Sequence, residues 1–72
     1  MKIKYSPHAK KRLKERKINK SGVTLVLTKP DNKVFGGRNR IIIVNRKFKD
    51  YTLEAVYVIE GGEIIVITLY YI

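Results

Sequence analysis

"YTLEAVYVIEGGEIIVITLYYI" (residues 51–72) sets two runs of β-branched and aromatic residues on either side of Gly61–Gly62. A Gly-Gly pair between such runs is a strong hairpin signal, because glycine enters the left-handed backbone region without steric cost. Centring the hairpin on that turn pairs Glu60 with Glu63, Val58 with Ile65, Val56 with Ile67 and Glu54 with Leu69. The other face then pairs Ile59 with Ile64, Tyr57 with Val66, Ala55 with Thr68 and Leu53 with Tyr70. On this register Val56, Val58, Ile65, Ile67 and Leu69 form an aliphatic face suited to lie under helices. Tyr57, Thr68 and Tyr70 mark the opposite face as one suited to nucleic acid.

Working back from the hairpin, "RNRIIIVNR" (residues 38–46) is too rich in β-branched residues for a comfortable helix and reads as a strand. "KVF" (residues 33–35) reads as a shorter one, ended by Gly36–Gly37. Two helices precede them. Residues 6–17 have Ser6 as N-cap and Pro7 at the first helical position, with Ala9 and Leu13 as a narrow apolar stripe. Residues 20–28 follow an Asn19 cap, with Ile18 positioned as a staple on Val23, and stop at Lys29–Pro30. The expected fold is therefore α+β: two N-terminal helices packed on one face of a three- to four-stranded antiparallel twisted sheet. The 72 residues fit a single domain spanning 1–72, with enough apolar residues for one core.

Charge is distributed unevenly. The chain has 16 Lys and Arg against 6 Asp and Glu, a formal net charge of +10. Residues 1–20 carry a net +8, residues 21–50 a net +5 and residues 51–72 a net −3. Such a field concentrates polyanions, RNA first among them. The basic N-terminus lacks an apolar stretch behind it, and no run is long enough for a membrane helix, so a soluble cytoplasmic protein without membrane contact is expected. The absence of Cys fits a reducing compartment.

Counting residues removes several chemistries. One His, no Cys and scattered carboxylates give no metal site, and no Gly-rich loop precedes a helix to hold a phosphate-bearing cofactor. Ser6 and Ser21 have no evident base and orienting acid. A helix-turn-helix reader is disfavoured because "SGVTLVLT" (residues 21–28) has no Arg, Asn or Gln to meet base edges. One route needs none of these. RNA carries its own nucleophile, the 2′-hydroxyl, and needs only proton transfer and charge stabilisation at the phosphate. Histidine suits the first and guanidinium the second. His8, Arg12 and Arg16 recur at four-residue spacing and so share one side of the first helix.

"YSPHAKKRLKERKI" followed by "VTLVL", "KP" and a closing "VITLYY" resembles a widespread family of small prokaryotic domains. That family opens on Ser-x-His-Ala-x-x-Arg-x-x-x-Arg and closes on a Thr-x-Tyr strand. Such domains are similar to RelE/ParE-type toxins and to the barnase–EndoU–colicin–RelE ribonuclease group. The resemblance implies a RelE-like fold and a metal-independent endoribonuclease, the toxin of a type II toxin–antitoxin pair. It implies catalytic roles for His8, Arg12, Arg40, Thr68 and Tyr70. RNA binding is expected at Lys4, Lys11, Arg16, Arg38, Arg46 and Lys47. Implied partners are RNA, free or on the ribosome, and an acidic antitoxin; no metal or cofactor is called for. ParE-type relatives inhibit gyrase without cutting RNA, so a non-catalytic module binding RNA, ribosome or protein stays open. The two apolar sheet faces leave homodimerisation open as well.

Overall fold

The computed structural model describes residues 2–37 and 40–72. Arg38, expected to bind RNA, lies outside the described residues. The elements run β1 (Ile3–Tyr5), α1 (Pro7–Glu15), α2 (Lys20–Thr28), β2 (Asn32–Phe35), β3 (Ile42–Lys47), β4 (Thr52–Glu60) and β5 (Glu63–Tyr71). They form a two-layer α+β domain with a five-stranded mixed sheet, ordered β1-β5-β4-β3-β2. Four strands are antiparallel neighbours, as expected. The fifth, β1, adds parallel to β5 with Ile3 opposite Ile64 and Tyr5 opposite Val66. Three residues carry too little periodicity to announce a strand, so the expected sheet of three to four strands did not include it.

Both helices begin as their caps dictate. Ser6 accepts a hydrogen bond from the Ala9 N–H at 3.0 Å, and Asn19 accepts one from the Ser21 N–H at 2.8 Å. α1 ends two residues earlier than its pattern suggests. Lys17 takes a left-handed φ of 51°, and the Ile18 N–H reaches the Leu13 carbonyl at 2.9 Å while that of Lys17 points to Lys14 at 3.4 Å. This is the Schellman arrangement, with Ile18 and Leu13 both buried as its apolar clasp. Glycine usually fills that left-handed position; lysine there hides the stop from a sequence reading.

At the hairpin, Gly61 and Gly62 have φ of +54° and +76°, both in the left-handed region that a type I′ turn requires. The register out to Tyr57 opposite Val66 is the expected one. Beyond it the ladder slips: Val56 lies opposite Thr68, Ala55 opposite Leu69 and Glu54 opposite Tyr70. β5 thus carries one extra residue, Ile67, as a β-bulge. Because side chains alternate along a strand, one inserted residue moves everything beyond it to the other face.

The face expectation is corrected even where the register holds, because both faces carry aliphatic residues and the helices cover the one bearing Tyr57 and Val66. The helices cover Leu53, Ala55, Tyr57, Ile64, Val66 and Leu69, which pack with Ile42 and Val44 against Ala9, Leu13, Ile18, Val23, Val26 and Leu27. Val56, Val58, Ile65 and Ile67, expected beneath the helices, are half-buried and belong to the open face. Of that group only Leu69 lies in the core, carried there by the bulge. Tyr57, assigned to the open aromatic face, is 3 % exposed within the core.

Candidate functional site

The first turn of α1 is fixed to β5 at the bulge. The Ser6 N–H donates to the Val66 carbonyl at 2.9 Å, and its hydroxyl donates to the Ile67 carbonyl at 2.8 Å while accepting from Ala9. Pro7 at the first helical position presets the helical φ. His8 lies in that first turn and Arg12 one turn on, and the Arg12 Nε–H is directed at His8 Nε2 across 3.5 Å. That distance is at the outer limit of a hydrogen bond, so the pair is juxtaposed rather than locked. His8 is exposed and Arg12 half-buried beside the Ala9/Leu13 stripe. Arg16 is exposed and forms the C-cap of the helix. α1 thus presents an imidazole, two guanidinium groups and the exposed Lys10, Lys11 and Lys14, with Glu15 as its only carboxylate.

The other expected residues are spread over the fold. Arg40 is exposed at φ 56° in the connection before β3, towards the end of the sheet where the β4–β5 hairpin turns. Tyr70 sits at the opposite end of the sheet, so Arg40 and Tyr70 are not brought together. Thr68 and Tyr70 flank the core residue Leu69 and therefore face away from the helix layer that bears His8. Lys4 pairs with Glu63 at 3.2 Å. Arg46 donates to the Lys29 carbonyl at 2.7 Å, capping the end of α2, and lies 5.6 Å from the Phe48 ring centre. Lys47 is exposed, and its backbone N–H donates to Asp31 Oδ2 at 2.7 Å.

The open face of the sheet has its own organisation. Asn32 Nδ2 donates to Asn45 Oδ1 at 3.0 Å, and Asn45 Nδ2 donates to Glu54 Oε1 at 3.3 Å. Tyr70 ends the row opposite Glu54, and interaction of its hydroxyl with that carboxylate, with burial, pushes the phenol pKa above its usual value. A polar row thus crosses four strands beside the aliphatic Val34, Ile43, Val56 and Ile67. With a carboxylate in its middle this face is a poor seat for a polyanion, and the basic surface belongs to the helix side.

The described residues enclose no cavity and hold no cluster of three or more His, Cys, Asp or Glu. No helix among them is long and apolar enough to cross a membrane. A family model described as a domain of unknown function, DUF4258, matches residues 5–71. The chain belongs to the DUF4258 family. Neither a curated protein nor a solved structure matches it. The matched span opens one residue before the cap Ser6 and closes on Tyr71, so it takes in His8, Arg12, both helices and the bulged strand.

In this DUF4258 domain the exposed tyrosines are not those that strand alternation indicates. Tyr51 and Tyr71 are 40 % and 39 % exposed and stand edge to face, their ring centres 5.1 Å apart. Phe48 stacks on Tyr51 at 5.0 Å. The cluster forms because Phe48 and Tyr51 bracket the tight β3–β4 turn, closed by the Phe48 N–H on the Tyr51 carbonyl at 2.7 Å. The bulge turns Tyr71 to the helix side to join them. "FKDY" (residues 48–51) carried the local part of that signal; the contribution of Tyr71 was legible only with the bulge known.

Proposed function

We propose that this domain is a metal-independent endoribonuclease acting through His8 and Arg12. The observation that carries the reading is the approach of the Arg12 guanidinium to the His8 imidazole on a helix start bonded to β5. His8 takes the 2′-hydroxyl proton as that oxygen attacks phosphorus. Arg12 stabilises the charge that develops on the non-bridging oxygens. The P–O5′ bond breaks, leaving a 2′,3′-cyclic phosphate and a 5′-oxygen that takes its proton from water, which reaches the exposed site freely. The N-terminal likeness to RelE/ParE-type toxins extends the reading to a toxin that acts on free or ribosome-bound RNA and is restrained by an acidic antitoxin. Purified protein and His8→Ala are compared on mixed-sequence RNA in EDTA. Cleavage to cyclic phosphate ends that disappears in the variant is expected; equal cleavage by both proteins would overturn the role of His8.

A second reading is favoured by the separation of Thr68 and Tyr70 from His8 on opposite faces of the sheet. On it the basic helix layer grips RNA without cutting. Contact with about five phosphates of a single strand gives a log–log salt slope of about −3.5. Such a slope without cleavage, on free RNA or on translating ribosomes, selects this reading.

A further inference from the structure

We infer that Tyr51 and Tyr71 form a stacking platform for unpaired bases of single-stranded RNA, beside the basic end of α1. The inference rests on the RNA reading above and narrows its substrate class to strands with accessible bases. Of the five tyrosines, Tyr57 is buried, Tyr5 is half-buried against the core, and Tyr70 lies opposite the carboxylate-bearing Glu54 on the open face. Tyr51 and Tyr71 alone combine a residue exposure near 40 % with a setting that is both rigid and cationic.

The rigidity comes from several anchors. The Tyr71 hydroxyl donates to the Arg16 carbonyl at 3.3 Å, across the end of α1. The edge-to-face contact with Tyr71 and the Phe48 stack hold the Tyr51 ring, whose hydroxyl lies close against Gly22 of α2. A ring already held in place loses little conformational freedom when a base stacks on it. The charge comes from Arg16 and Lys17 at the α1 terminus and from Lys49 in the β3–β4 turn, with Glu15 and Asp50 as the adjoining carboxylates. Arg46, stacked on Phe48, extends the patch towards the end of α2. Aromatic faces interleaved with cations bind single strands without regard to sequence, because every base has a π-face and every nucleotide a phosphate. A duplex, whose bases are stacked on each other, cannot use the rings this way. Arg16, where Tyr71 is anchored, is the third member of the His8–Arg12–Arg16 series, so a strand held at the platform has its backbone led along α1 towards His8.

The test uses two fluorescein-labelled 12-nucleotide strands with a cleavage-resistant 2′-O-methyl backbone, one of uridines and one abasic, which carry equal charge. The wild-type protein is expected to bind the uridine strand at least about tenfold more tightly, in the range that stacking on two rings supplies. Tyr51→Leu and Tyr71→Leu should each weaken uridine-strand binding by about fivefold or more while abasic binding stays within about twofold. Tyr71→Phe, which keeps the ring, should retain the preference. Equal affinity of the wild type for both strands would overturn the platform, and that comparison needs no variant to fold. A base preference that survives in both leucine variants would also overturn it and point to another ring, the exposed Phe35 being the obvious one. RNA cleavage lost in His8→Ala but no base preference in the wild type would leave the nuclease reading standing and remove the platform. Binding of neither strand would remove both.

Discussion

Replacing Ser6 by alanine tests whether α1 is held by its cap and by the bulge together. The Ser6 hydroxyl accepts from the Ala9 N–H at 3.0 Å and donates to the Ile67 carbonyl at 2.8 Å. Loss of an N-cap costs about 1 kcal/mol. Loss of the second hydrogen bond, to a partly buried carbonyl, costs about 1 kcal/mol more. A total of about 2 kcal/mol in a domain of this size corresponds to a fall in Tm of about 8–16 °C. Urea unfolding of wild type, Ser6→Ala and Ser6→Thr, followed by circular dichroism, measures it. Threonine keeps the hydroxyl and should stay within about 0.5 kcal/mol of wild type. A loss below about 0.5 kcal/mol in Ser6→Ala would refute the argument, because then neither bond fixes the helix. On the proposed ribonuclease reading, cleavage by the folded variant should also fall, since the anchoring of the first turn of α1 to β5 is weakened.

Other substitutions probe single features. Lys17→Gly removes the side-chain penalty at a φ of 51° and should raise stability by about 1 kcal/mol; an unchanged urea midpoint would show the left-handed residue to be unstrained. Gly22→Ala in α2 should also stabilise by about 1 kcal/mol, because the added Cβ meets Tyr51 Oη at 3.8 Å and Phe48 Cζ at 3.9 Å, ordinary contact distances. A destabilised Gly22→Ala would mean the aromatic cluster cannot accommodate a methyl group. The raised Tyr70 pKa has a defined sign: the folded protein holds that proton more tightly than the unfolded chain, so the associated stability is complete below pH about 10 and is lost as pH rises through the raised value. The stability gap between wild type and Tyr70→Phe should therefore shrink in alkaline urea titrations, and a constant gap would contradict the influence of Glu54 on the phenol.

The two helices and the glycine hairpin were legible because each rests on a local rule: Ser6–Pro7, Asn19 and Gly61–Gly62 act within a few residues of themselves. What escaped the sequence acts at long range. Strand β1 exists only because Ile3 and Tyr5 find the edge of β5, and the bulge at Ile67 exists where Ser6 occupies the neighbouring backbone. No pattern within "EIIVITLYYI" announces an unpaired residue, since Ile-Thr-Leu alternates as well with the bulge as without it. The faces were misassigned for a different reason: both carry aliphatic residues, so alternation does not tell which one the helices cover, and they cover the one bearing Tyr57 and Val66. The insertion then carried Leu69 and Tyr71 to the helix side and left Tyr70 on the open face. The juxtaposition of His8 and Arg12 was legible from their spacing on a helix. Its separation from Thr68 and Tyr70 was not, because it depends on which face each strand residue takes.

The partnership of the first strand with the last has a consequence during synthesis. α1 is bonded through Ser6 to carbonyls 60 and 61 positions further along the chain, so it has nothing to dock on until β5 has emerged from the ribosome. β2, β3 and β4 can pair with one another earlier, since each follows its neighbour directly. The segment bearing His8, synthesised first, therefore docks last, after the β2–β3–β4 meander has paired and β5 has emerged. A protein built this way translates the helix bearing His8 early and completes that helix's setting only at the end.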